Sequence, residues 1–223
     1  MATQFDRNRT PTGVYKPGRI RDENLQRILT AAEAEFVARG YRGATIQAIA
    51  DRAGLPKANV HYYFRSKANL YRSVLDDIVA LWNVQFEQIN ADDDPAVALD
   101  GFIREKLRLS FTHRRASKLF AMEIISGAPH LDNYIAANVR KWVRSRARVI
   151  QSWMDRGLMA PGDPVQLIFL IWASTQHYAN FDTQVLGVMN RRDYDKKSMA
   201  RISDFLSTTI LRGCGLEPPK QSV

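Results

Sequence analysis

The sequence predicts an all-α protein of about nine helices in two domains. Apolar residues recur at helical spacing in nearly every segment, and the strict alternation of a half-buried strand is essentially absent. Breakers fall between these segments at Gly40, Gly54, Asp94-Pro95, Gly127-Ala128-Pro129, Gly157 and Gly162-Asp163-Pro164, where helices stop and start. Finally, Thr45 to Lys67, TIQAIADRAGLPKANVHYYFRSK, reads as two short helices across a tight turn.

In chain order, residues 1–20 place Arg7, Arg9, Lys16 and Arg19 among Thr, Pro and Gly. Too few apolar side chains are present to offset the ordering entropy, so this segment is expected to be a disordered basic tail. It has two readings, an arm on DNA phosphate or in a minor groove, and a tail that solubilises. A first helix follows from Asp22, its N-cap, to Arg39, stopped by Gly40. Its stripe of Leu25, Ile28, Leu29, Ala32 and Phe36 is core, completing a three-helix domain over residues 21–66.

Within the helix-turn-helix, Ile46, Ile49, Ala50 and Ala53 keep the helical period until Gly54, and Val60 and Phe64 resume it. Ala50 is small where the helices approach, and Gly54 adopts φ > 0 without steric cost. Pro56 belongs to the first turn of the second helix, where a missing N–H is harmless. That helix, roughly 57–63, is too short and polar to be core. Lys57, Asn59, His61 and Tyr62 project donors and acceptors, as a helix reading base edges in a major groove requires. Ser66 suits an N-cap for the next helix, with Lys67 in its first turn. A cation there opposes the macrodipole, which makes sense if a phosphate sits at that helix end; the alternative is a solvated lysine.

The second domain, residues 67–223, opens with a connecting helix reaching about Ile89. Its stripe is Leu70, Tyr71, Val74, Ile78, Leu81, Trp82 and Gln85, with Leu75 at the margin. Asp92-Asp93-Asp94 lacks the alternating spacing and glycine of a calcium loop, so a capped helix start is the better reading. Further helices are expected over about 96–113, 116–126 and 132–156, the last with a solvated row of Arg140, Lys141, Arg144 and Arg148. The helix expected over 164–186 is apolar on nearly every side in its first half. Its second half carries Ser174, Thr175, Gln176, His177, Tyr178 and Asn180, polar groups that need partners if buried. A last helix, about 195–213, aligns Ile202, Phe205, Leu206 and Ile210, and these two helices read as a self-association surface.

The formal net charge of +9 is unevenly spread: residues 1–72 hold 13 Lys and Arg against 6 Asp and Glu, the rest 19 against 17. The basic excess thus belongs to the helix-turn-helix segment and points to nucleic acid. No strongly amphipathic basic helix accompanies it, and no apolar run approaches a bilayer span, so no membrane partner is expected. A single cysteine, Cys214, excludes an internal disulfide or cysteine metal cluster and fits a reducing cytoplasm. The histidines at 61, 113, 130 and 177 lack close metal-ligand spacing, and no phosphate-cradling glycine loop appears; neither metal nor cofactor is expected.

The chain resembles the TetR family of one-component transcriptional regulators. The resemblance is carried by Gly40-Tyr41, Ala44-Thr45, the helix-turn-helix, Tyr62-Tyr63-Phe64, Ser66-Lys67 and Leu70-Tyr71. It implies that Thr45, Tyr63 and Lys67 contact phosphate, and that Gln47, Lys57, Ala58, Asn59 and His61 face bases. His61 stands where the family usually has tyrosine. The resemblance further implies that the last two long helices pair with their copies in a four-helix bundle, giving a homodimer on a near-palindromic duplex. LFAMEIISGAPHL at 119–131 and the segment 152–181 are similar to the pyrimidine-utilisation, uracil-sensing branch of the family. That likeness implies an uncharged heterocyclic effector such as uracil or thymine.

From the residues themselves, the effector candidates are Trp82, Trp172 and Gln176, joined by Phe120, Glu123 and Tyr178. Trp172 and Gln176 are i, i+4 neighbours. Plain core packing of the tryptophans is the competing reading. Three functions follow: a ligand-responsive DNA-binding regulator, a DNA-binding dimer without an effector, and an enzyme using Glu123, His130 or His177. The third lacks any nucleophile–base spacing.

Overall fold

A computed structural model describes residues 17–83, 89–131 and 134–220, and among these every regular element is helical. The described residues form ten α-helices: α1 Pro17–Gly43, α2 Ile46–Ala53, α3 Lys57–Phe64, α4 Lys67–Asn83, α5 Pro95–Thr112, α6 Arg114–Ile125, α7 Arg140–Asp155, α8 Pro164–Asn180, α9 Asp182–Val188 and α10 Lys196–Gly213. A π-helical turn, Ile135–Val139, leads into α7.

α1 lies over α2, α4 and α6, so one helix joins the N-terminal unit to the larger domain. Ile28, Ala32 and Phe36 of α1, Ile49 and Ala50 of α2, and Val60 of α3 are almost wholly buried together. Polar ties reinforce this small core. Arg27 donates to the carbonyls of Ala53 (2.8 Å) and Gly54 (3.2 Å), satisfying the end of α2 from a neighbouring helix. Glu35, 2 % exposed, pairs with Arg39 at 2.8 Å and with Arg52 of α2 at 3.2 Å. In the larger domain α5 is central, packed against both α8 and α10. Aspartates cap three helices there: Asp94 accepts from Val97 N–H, Asp163 from Val165 and Gln166, and Asp195 from Ser198. Each such cap stabilises by about 1 kcal/mol. Asp93 accepts from Asn90 N–H, so two of the three adjacent acids serve the backbone.

Several expected boundaries move. The first helix begins at Pro17, so Asp22 is not its cap and residues 17–20 belong to the helix; proline at a first helical position needs no N–H partner. Residues 1–16, the body of the expected tail, lie outside the described residues, as does Gln85. Gly40 does break α1, at φ 67° and ψ 171°. Pro56 caps α3 rather than lying in its first turn. The helix expected over 164–186 divides at Phe181 (φ −116°, ψ 30°), giving α8 and α9. Contacts from α6 flank that break: Ser117 donates to Asn180 at 2.8 Å, and Lys118 meets Asp182 at 2.6 Å. Since no Gly or Pro marks it, the division is a tertiary decision. Leu75, expected at the margin of the α4 stripe, is fully buried.

Candidate DNA interface and effector chamber

Gly54, at φ 62° and ψ 38°, ends α2 and donates back to Ala50 and Asp51. The turn thereby sets α3 across α2 with Val60 and Phe64 inward. The residues at the opposite side, Lys57, Ala58, His61, Tyr62 and Arg65, are exposed, and Tyr62 is 75 % exposed. Asn59 is half-buried. Arg65, exposed at the end of α3, stands at φ 55°, where a glycine would be unstrained, and is a further candidate that the sequence did not single out. Thr45 is exposed and caps α2, accepting from Ala48 N–H at 3.1 Å. Gln47 is exposed and donates to Asp51 at 2.8 Å. Tyr63 is half-buried, its hydroxyl 3.4 Å from the Arg21 carbonyl.

Lys67 departs from expectation. Its ammonium donates to the carbonyls of Tyr41 (2.9 Å), Ala44 (3.0 Å) and Arg42 (3.4 Å), and sits 4.7 Å from the centre of the Tyr41 ring. Those acceptors belong to the broken end of α1, a cluster of carbonyls that attracts a cation. No phosphate is needed to explain the lysine. Ser66 caps α4 as expected, accepting from Asn69 N–H.

Lys67 also begins a network between the two domains. The Tyr41 ring lies 4.9 Å from that of Tyr71 on α4 and 4.4 Å from that of His130. Phe36 meets Tyr71 edge-on at 4.7 Å. The Tyr71 hydroxyl donates to Glu123 of α6 at 3.0 Å, and the backbone N–H of His130 donates to the same carboxylate at 2.6 Å. The His130 ring Nδ1 is 3.4 Å away. Burial first, and the Glu123 carboxylate next, push the Tyr71 hydroxyl above its ordinary range, so it remains a donor. Glu123, expected at the effector, accepts from Tyr71 and so ties α4 to α6.

The other effector candidates have different immediate neighbours. Trp172 stacks on Trp142 at 5.7 Å and 27°, and Trp142 lies 6.2 Å from Phe102 of α5. Trp82 lies beneath Lys106 of α5, its ring centre 4.8 Å from the ammonium. Trp82 thus meets α5 directly through Lys106 and Trp172 only by way of Trp142, while half-buried Gln176 follows Trp172 by one turn. Phe120 is half-buried against the core. Tyr178 faces elsewhere, 6.1 Å from Phe111, and lines an open groove of about 550 Å³ with His177, Val185, Val188, Arg201 and Phe205. Lys106 and Ser110, buried on the α5 stripe, were missed because a lone Lys and Ser in an amphipathic helix read as surface.

The expected dimer residues also divide. Phe205 is 63 % exposed, but Ile202, Leu206 and Ile210 are buried within the monomer against α5 and its neighbours. Among the exposed apolar side chains are Phe169 and Leu170 on α8, Phe181, Val188 on α9, and Phe205. Val188 and Phe205 line one open groove, so of the expected dimer residues it is Phe205 that is left open to a partner.

A family model for bacterial regulatory proteins of the tetR family matches residues 28–74, and one for the C-terminal region of YcdC-like proteins matches 75–217. The chain belongs to the TetR family. Among its TetR-family relatives, the HTH-type transcriptional regulator RutR of Escherichia coli (strain K12) is 39 % identical over 186 residues, covering 83 % of this chain and 88 % of RutR. The HTH-type transcriptional repressor NicS of Pseudomonas putida is 26 % identical over 196 residues, covering 86 % and 92 %. Similar solved structures include the ketosteroid transcriptional regulator KstR2 of Mycobacterium tuberculosis, with TM-score 0.68 and 17 % identity over 85 % of this chain and 94 % of KstR2. Another is AibR in complex with isovaleryl coenzyme A and operator DNA, with TM-score 0.64 and 19 % identity over 88 % and 100 %. At such identities these structures share the fold. As a TetR-family member the chain is a DNA-binding transcriptional regulator and not an enzyme. Family members bind operator DNA and form dimers. No described helix is long and apolar enough to cross a membrane.

Proposed function

We propose that this regulator represses a pyrimidine-catabolic operon and is released from DNA by uracil, thymine or a related cyclic ureide. The identity of 39 % with RutR, the pyrimidine-utilisation repressor, carries the reading, because it spans the sensor domain as well as the helix-turn-helix. Trp82 and Trp172 support it: indole faces suit a flat ring. Gln176 offers an amide donor and acceptor side by side for a C(=O)–NH edge. On DNA, a dimer sets two α3 helices about 34 Å apart, in successive major grooves. Effector and operator communicate through α4, which carries Lys67 at one end and Trp82 near the other. A ligand favouring one α4 tilt favours one spacing of the α3 helices, and DNA must weaken ligand binding equally.

Selection of bound duplexes from a random library, then anisotropy titration with and without uracil, thymine, dihydrouracil and hydantoin, tests this. At least one ring should release the selected palindrome. Release by none of them below about millimolar would remove the pyrimidine reading while leaving DNA binding intact.

A further inference from the structure

Lys57, His61 and Arg65 follow one another at single-turn spacing along the exposed side of α3. None of the three side chains has a hydrogen bond or ion pair among the described residues. Arg65 closes the helix, its N–H donating to the His61 carbonyl at 2.9 Å, and does so at φ 55° and ψ −39°. A residue other than glycine seldom stays in such a conformation unless its side chain is needed. Among the described residues nothing holds the guanidinium, so the strain points to a partner outside the chain.

The surroundings of His61 are cationic, with Lys57 and Arg65 one turn to either side. On α2, Asp51 accepts from Gln47 and Arg52 pairs with Glu35. On α4, Lys67 donates to the end of α1, and Arg72, Asp76 and Asp77 lie farther along the helix. From α1 the Arg21 carbonyl meets the Tyr63 hydroxyl, with Asp22 and Glu23 next in the chain. No carboxylate among the described residues is in hydrogen-bond or ion-pair contact with His61.

A neutral imidazole offers one donor and one acceptor, whereas the protonated ring donates from both nitrogens. Histidine passes between these forms within about pH 5 to 8. Phosphate oxygens only accept, and their charge favours the cationic ring. We propose that one DNA strand runs along Lys57, His61 and Arg65, and that His61 takes up a proton from solvent as it binds a phosphate there. The protonated form gains the contact, so operator affinity is greatest at low pH and falls as pH rises. The effector plays no part in this linkage.

Fluorescence anisotropy with effector-free, full-length protein on the library-selected duplex, at pH 6 and pH 8, tests the proposal. Wild-type affinity should fall roughly three- to tenfold between those values, and the slope of log affinity against log salt should be steeper by up to about 0.9 at pH 6. His61→Gln keeps a donor and an acceptor but gains no proton. It should bind equally at both pH values, although the histidines at 113, 130 and 177 remain. A scrambled duplex should show the wild-type pH dependence, since phosphate carries no sequence. Arg65→Gly should keep an equal or higher denaturant midpoint, because the backbone is relieved, yet bind the selected duplex several-fold more weakly. A pH dependence that survives in His61→Gln, that is missing from the wild type, or that is confined to the selected duplex would overturn the proton-linked phosphate contact. Undiminished binding by Arg65→Gly would take the strand off this track and overturn it as well.

Discussion

Lys67 and Lys57 are both basic and both next to the recognition helix, yet the structure gives them different work. Lys67 donates to three carbonyls at the end of α1 and lies over Tyr41, so its removal leaves those acceptors, two of them partly buried, without that donor. Lys67→Ala should lower stability by about 1–3 kcal/mol, read by denaturant unfolding, and change the slope of log affinity against log salt by well under one. A slope reduced by about one with stability intact would return the lysine to the phosphate role that the resemblance implies. Lys57 is exposed on α3. Lys57→Ala should leave unfolding unchanged, weaken operator binding and shift sequence preference, as binding to a panel of operator variants would show.

Helix α10 presents two faces with opposite consequences. Phe205 points outward at 63 % exposure, whereas Leu206, the next residue, is 8 % exposed. Phe205→Glu should give a folded monomer that no longer holds the operator, seen as normal helical circular dichroism with a halved sedimenting mass. Leu206→Glu should unfold the domain, since burying an unpaired charge is prohibitive. A folded Phe205→Glu dimer would move the interface elsewhere. The junction of α1, α4 and α6 makes a second prediction. Tyr71→Phe deletes one hydroxyl from the Glu123 carboxylate and keeps the ring packed on Phe36 and Tyr41. Operator and effector affinities should each change little, while the ratio of operator affinities with and without effector shrinks several-fold. An unchanged ratio would show that coupling bypasses this contact.

Stability of the entire chain should depend on pH in a way set by buried groups of both kinds. Lys106 has its folded value lowered to about 7 from 10.5 by burial. Between those values the unfolded chain binds more protons than the folded one, so this group makes stability rise with pH across that window. Above pH 10 the tyrosines reverse the trend. Burial raises Tyr194 to about 12 and Tyr71 further, so the unfolded chain ionises first and stability falls. Denaturant midpoints measured from pH 6 to 11 should therefore pass through a maximum near 10, and Lys106→Met should flatten the rising limb. A rising limb unchanged in that variant would exclude Lys106 as its source.

Periodicity and breakers sufficed to read an all-helical chain, because a helix depends on residues three and four apart and on its own caps. The helix-turn-helix was legible for the same reason: Thr45, Gly54 and Ser66 act through bonds within a few residues of themselves. What the sequence could not convey were contacts between residues far apart in the chain. The division of the eighth helix at Phe181 depends on Ser117 and Lys118, more than sixty residues earlier. Lys67 finds its acceptors more than twenty residues upstream, and Glu123 finds Tyr71 fifty-two residues away. An amphipathic stripe announces that Ile202, Leu206 and Ile210 are apolar, not whether the cover is the chain's own α5 or a second copy; packing gave them to α5 and left Phe205 outside. Local hydrogen bonds and periodicity are written in adjacent residues, whereas partnership across a core is settled only when the helices have closed on one another.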